Sequence, residues 1–71
     1  MNIEITLSEG VNILQKKNIP NPWLDSELLL SNSIERDKKH IILNPKQLLN
    51  SEQLKKFRSL IERRKQGEPI A

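Results

Sequence analysis

Cysteine is absent from this chain of 71 residues. That excludes disulfides and thiolate metal sites, and it fits a reducing cytosol. Tyrosine is absent too, and there is one tryptophan and one phenylalanine. The core must therefore be aliphatic, built from leucine and isoleucine. No long apolar run exists, so the sequence predicts no membrane span and no signal peptide. His40 is the only histidine. With no cysteine or carboxylate cluster beside it, it is a poor metal ligand and reads as a surface or packing residue. No Gly-rich loop follows a strand, and no nucleophile–base pair can be assembled from the spacing. On its own the chain should catalyse nothing and bind no cofactor.

What is present is one small domain. At roughly 60 residues a domain buries only about 60% of its unfolded surface. Ordering each residue costs about 1–2 kcal/mol, so nearly every large apolar side chain must go inside. The charge is unevenly placed. Residues 1–50 carry six Lys/Arg against six Asp/Glu. Residues 51–71 carry Lys55, Lys56, Arg58, Arg63, Arg64 and Lys65 against Glu52, Glu62 and Glu68. The whole net charge of +3 therefore sits in the last segment. A local basic face can steer an acidic partner or a nucleic acid. The plainer reading is a solvated helix face whose cations sit near the C-terminus, where the helix dipole favours them.

Helical periodicity runs through most of the chain. Thr6 with Glu9 reads as a capping box for a first helix ending near Lys17, with Leu7, Val11 and Leu14 as its stripe. Ile3-Glu4-Ile5 alternates briefly before it. Gly10 borders the stripe, and a mid-helix glycine costs about 1 kcal/mol against alanine. Close approach of a neighbouring helix is the expected compensation. Ile19-Pro20-Asn21-Pro22 breaks the chain, and Asn21-Pro22 opens a second helix to about Ile34. Trp23, Leu24, Leu28, Leu30 and Ile34 spread over its apolar arc, with Glu27 and Ser31 in the middle. Trp23 is expected in the core or at a domain interface. Asp37 starts a third piece, from Lys38 to about Leu43, ended by Asn44-Pro45. Pro45 to Leu49 is expected to form one further turn. Ser51 should cap the longest helix, which runs to about Gln66. Leu54, Phe57, Leu60 and Ile61 are its stripe, and Arg64 continues it. A carboxylate on an apolar face needs a partner. The sequence therefore predicts a Glu27–Arg64 pair, with Asp25 as the alternative partner. The expected fold is all-α, a small compact bundle of four or five short helices with short connections.

The chain closes on Arg63-Arg64-Lys65-Gln66-Gly67-Glu68-Pro69-Ile70-Ala71. Glycine suits a left-handed helix stop, and proline holds the following chain extended. A domain that closes this way reads as the front piece of something larger: residues 1–66 as the helical domain and 67–71 as the start of a linker. This stretch resembles the junction in the HemK/PrmC family of release factor glutamine methyltransferases, where a small helical N-terminal domain meets the catalytic domain. Leu24-Asp25-Ser26-Glu27-Leu28-Leu29-Leu30 agrees, since it resembles the family's Leu-Asp-Ala-Glu-Leu-Leu-Leu helix. Ser26 replaces the small apolar residue usual there. The middle, Glu35 to Leu49, resembles the family only loosely. Asn21-Pro22-Trp23 also looks superficially like the Asn-Pro-Pro-aromatic loop of amino-methyltransferases. It lacks the second proline and opens a helix, so it carries no such meaning.

The resemblance implies a cytoplasmic, monomeric parent. That parent would transfer a methyl group from S-adenosylmethionine to the glutamine of the Gly-Gly-Gln loop in class 1 peptide chain release factors. This piece would help bind and position the release factor, and the cofactor would belong to a catalytic domain after residue 71. The side chains expected to make that grip are Lys55, Lys56 and Arg63. A free-standing nucleic-acid-binding helical module is the alternative. Against it, asparagine and glutamine do not cluster with the arginines.

Overall fold

Asparagines, not threonine or serine, open the first and last helices. The computed structural model describes residues 1–69. Helix α1 (Ile3–Lys16) begins a turn earlier than a Thr6 cap predicts. Asn2 is extended and its Oδ1 accepts from the Ile5 amide at 2.8 Å. Thr6 is wholly buried and lies inside the helix, so its hydroxyl has no place at a solvated cap. Ile3-Glu4-Ile5 is the first helical turn, with Ile3 inward and Ile5 outward.

The first amides of a helix lack intrahelical partners. Here the segment before the last helix supplies some of them. Ile3 N donates to Gln47 O and Glu4 N to Pro45 O, both at 2.9 Å. Leu49 N donates back to Met1 O at 2.9 Å, and Asn2 and Leu48 form an isolated antiparallel bridge. The turn expected from Pro45 to Leu49 is confined to Pro45-Lys46, closed by Gln47 N donating to Asn44 O at 3.2 Å, and the rest of the segment pairs with the N-terminus. The turn does not continue into a helix, because the N-terminus of α1 draws the Pro45 and Gln47 carbonyls into its own hydrogen bonds.

Helix α2 (Pro22–Ile34) carries Pro22 at its first position, as expected, but the Asn21 side chain makes no capping bond. Helix α3 (Lys38–Leu43) is capped by Asp37, which accepts from the His40 amide at 2.9 Å. Helix α4 (Ser51–Lys65) is capped by Asn50, not Ser51. Asn50 Oδ1 accepts from Gln53 N at 2.8 Å and Gln53 Oε1 accepts from Asn50 N at 3.0 Å. This reciprocal box satisfies two otherwise orphan donors.

Among the described residues these four helices are the only regular elements. Helix α1 packs on α2 and α4, α2 also packs on α4, and α3 leans on α2. The core joins Ile3, Leu7 and Leu14 to Leu29, Leu30, Ile34, Ile41, Leu49, Phe57 and Ile61. Gly10 sits where α4 crosses: a Cβ there would lie 2.7 Å from Phe57 Cζ and 3.0 Å from Ile61 Cδ1. The helix-propensity cost of this glycine is thus offset by close helix–helix contact.

Helix α2 turns a different face inward from the one its large apolar residues suggest. Asp25, Ser26, Leu29, Leu30, Ser33 and Ile34 are buried. Trp23, Leu24 and Leu28 are exposed, so Trp23 is no core anchor. Small side chains let helices approach, and Ser26 and Ser33 provide them. Ser33 Oγ donates to Leu29 O at 2.8 Å, but Ser26 Oγ is buried with no partner among the described residues. A buried hydroxyl without a partner costs about 1–3 kcal/mol. Ser26→Ala is therefore expected to stabilise the domain by about 1 kcal/mol. In a thermal melt that is a rise of about 4–8 °C. A lower melting temperature would show that the hydroxyl is satisfied.

Candidate functional site

The basic end of α4 and the groove beside it hold most of the remaining chemistry. Gly67 has φ of 96°, the left-handed conformation that favours glycine. Its amide donates to Arg64 O at 2.9 Å, and the Glu68 amide donates to Arg63 O at 3.2 Å. Together these bonds form a Schellman stop. Such stops usually carry an apolar contact between the two residues flanking the turn. Here the contact is ionic: Arg63 Nε donates to Glu68 Oε2 at 3.2 Å and Nη2 to Oε1 at 3.1 Å. The Arg63 hydrogen bond holds the Glu68 carboxyl below the usual carboxylate range. The same bond raises the Arg63 guanidinium further above its already high value. Both groups lie in solvent, so the pair directs the chain more than it stabilises the fold.

Arg64 does something different. Its Nε donates to Asp25 Oδ2 at 2.9 Å, and its Nη1 donates to the Glu68 carbonyl at 3.2 Å. One side chain thus ties the first turn of α2, the end of α4 and the departing chain together. The predicted Glu27 pairing gives way to Asp25. Glu27 lies about 200° around the helix from Asp25, at 100° per residue. Asp25 is on the buried side of α2, where α4 can reach it; Glu27 is not. The error followed from the helix face assigned to α2.

Between α2 and this end of α4 runs a groove of about 600 Å³, walled by Leu28, Leu29 and Leu60 and rimmed by Arg36, Arg63 and Pro69. Ile70 and Ala71, the last residues of the junction motif, lie outside the described residues.

Lys55, Lys56 and Arg63 are all exposed on α4. Lys56 and Arg63 share one stripe at i, i+7, and Lys55 lies beside it. Arg58 pairs with Glu9 at 3.0 Å, Lys65 with Glu62 at 3.1 Å, Arg63 with Glu68 and Arg64 with Asp25. Among the described residues Lys55 and Lys56 make no ion pair. They are the cations of this helix left open to an acidic partner. The Arg63–Glu68 and Arg64–Glu68 contacts were missed in the sequence. The glycine stop was the usable signal, because it brings the residue after it back over the last turn.

His40 is a packing residue. Its Nε2 donates to Gln47 Oε1 at 2.6 Å, and Asn44 Nδ2 donates to His40 O at 2.9 Å. The ring thereby pins α3 to the segment that pairs with the N-terminus. The described residues hold no group of three or more His, Cys, Asp or Glu that could bind a metal.

A model of the family described as the PrmC N-terminal domain matches residues 6–71. The chain belongs to that family. This PrmC N-terminal domain is 35% identical over 69 residues to a bifunctional methyltransferase of Rickettsia bellii, covering 97% of this chain and 12% of the relative. It is 30% identical over 71 residues to a release factor glutamine methyltransferase of Aliivibrio fischeri, covering all of this chain and 25% of the relative. A release factor glutamine methyltransferase of Clostridium botulinum is 34% identical over 64 residues, or 90% of this chain and 23% of the relative. The chain thus spans a quarter or less of the length of these relatives. No solved structure matches it. No described helix of the domain is long and apolar enough to cross a membrane.

Proposed function

We propose that this domain is the substrate-docking front piece of an S-adenosylmethionine-dependent protein methyltransferase. Its target is the glutamine of the Gly-Gly-Gln loop in class 1 peptide chain release factors. The observation that carries this reading is the family match over residues 6–71, with the whole chain aligned to a quarter of a relative named release factor glutamine methyltransferase. A protein substrate gives a separate helical domain its use. Binding energy gained far from the reacting amide can orient one glutamine against the methyl donor. The methyl donor belongs to a catalytic domain that follows the 67–71 linker. The whole acts as a cytoplasmic monomer.

Within this domain Lys55 and Lys56 make the grip, as exposed cations in the N-terminal half of α4 with no ion pair among the described residues. Arg63 contributes only when Glu68 releases it. A free-standing nucleic-acid module fits less well. Four of the cations on α4 are already held in ion pairs within the domain.

The test is a titration of the isotope-labelled domain with a class 1 release factor at two salt concentrations. Amide shifts clustered around Lys55 and Lys56 are expected, weakening at the higher salt because exposed charges are screened. The absence of shifts in a folded domain at high release factor concentration would overturn autonomous docking.

A further inference from the structure

Helix α2 carries large apolar side chains on both sides, the outer ones beside Glu27 and Ser31. Leu29, Leu30 and Ile34 face the core, while Leu24 and Leu28, one turn apart, face outward at 43% and 40% exposure. Trp23 borders them at 55% exposure. A surface helix of a globular domain has one apolar stripe; one that is apolar all round is a buried helix. Among the described residues no element covers the outer stripe. Leu28 also walls the groove whose rim contains Pro69. The Schellman stop and the two arginine contacts to Glu68 therefore release the chain at the edge of the uncovered apolar surface.

We propose that the Trp23–Leu24–Leu28 stripe and the adjoining groove are the seat of the rest of the same polypeptide, the domain that follows residue 71. The inference rests on the proposed function, since it needs a catalytic domain in the chain. The relatives, of which this domain spans a quarter or less, leave ample polypeptide for the purpose. The exit geometry favours this occupant over any other. A segment tethered beside its site meets it at an effective concentration in the millimolar range, without a separate encounter. An apolar seat also suits a permanent neighbour. The open lysines of α4 are suited to a partner that comes and goes, because surface charge acts mainly on encounter and is screened by salt.

The test is hydroxyl-radical footprinting of Trp23, Leu24 and Leu28 in the full-length polypeptide, alone and with release factor, compared with the isolated domain. Methyl transfer to the release factor is measured on the same full-length sample. Severalfold protection of the stripe in the full-length chain alone, independent of its concentration, is the expected result. Leu24→Lys with Leu28→Lys should abolish the protection of Trp23 and leave the melting temperature of the isolated domain unchanged. Protection that appears only with release factor would overturn the proposal and make the stripe part of the substrate surface. Protection that grows with protein concentration would overturn it in favour of a second copy. A stripe equally reactive in every sample would overturn it outright. A protected stripe without methyl transfer would instead sink the proposed function and leave the interface standing.

Discussion

Phe57→Ala is expected to leave most of the domain unfolded at room temperature. Phe57 is fully buried and is the largest side chain in the core. It lies over Gly10, where the two helices come so close that a Cβ would meet the ring. Gly10, directly under the ring, has no side chain to rotate into the space that the truncation leaves. Truncating a buried phenylalanine costs about 3–5 kcal/mol, more where the site cannot collapse. A single core in a chain of this size rarely supplies more than about 3–5 kcal/mol of net stability. The loss therefore matches the total. Far-ultraviolet circular dichroism should show helix content falling, with no cooperative melt. Phe57→Leu keeps most of the volume and is expected to cost about 1 kcal/mol, leaving a folded domain with a lowered melting temperature. If Phe57→Ala melts like the parent, the α1–α4 contact is not the centre of the core.

The extents of α2, α3 and α4, and the C-terminal end of α1, could be read from the sequence because the signals were local and redundant. Pro22 at a helix start, Asp37 as a cap, Asn44-Pro45 as a stop and the Leu7–Val11–Leu14 stripe each admit one arrangement. The caps of α1 and α4 were misread where two candidates competed, four residues apart in α1 and adjacent in α4. Thr6 and Ser51 are good cap residues, but so are Asn2 and Asn50; burial of Thr6 decided the first case and the reciprocal Asn50–Gln53 box the second. Thr6 is needed inside. The inward face of α2 was legible only in part. Its leucines surround the helix, so periodicity could not choose a face. The choice fell to the small residues Ser26 and Ser33, which carry no hydropathy signal. The Arg64 partner followed the same way: once α2 is turned, Asp25 is the carboxylate that α4 meets. The pairing of residues 45–49 with the N-terminus was not legible at all. It joins the two ends of a long sequence interval through backbone groups, which every sequence possesses.

The Arg64–Asp25 pair should prove strongly coupled and strongly asymmetric. The two side chains are 21% and 12% exposed, between the surface and interior limits. Exposed pairs contribute about 0–1 kcal/mol, and removing one member of a buried pair costs about 3–5 kcal/mol. Arg64→Met is expected near the middle, about 2–3 kcal/mol. It strands the Asp25 carboxylate on the buried side of α2 and frees the Glu68 carbonyl as well. Asp25→Asn is expected to cost about 1 kcal/mol, because a long arginine can swing its head into water and keep its methylenes on the core edge. The double variant should then cost less than the sum of the two, since with Arg64 gone the neutral amide is easier to bury than the stranded charge. A coupling of about 1–2 kcal/mol in denaturant melts is the expected value. Glu27→Gln, on the other side of the helix, should stay within about 0.5 kcal/mol of the parent. Additive costs for Arg64 and Asp25, or a larger effect at Glu27, would mean that α2 is rotated from the position described. The outer leucine stripe would then be the core face. The single cycle therefore tests the face of α2 on which both the salt bridge and the interdomain seat depend.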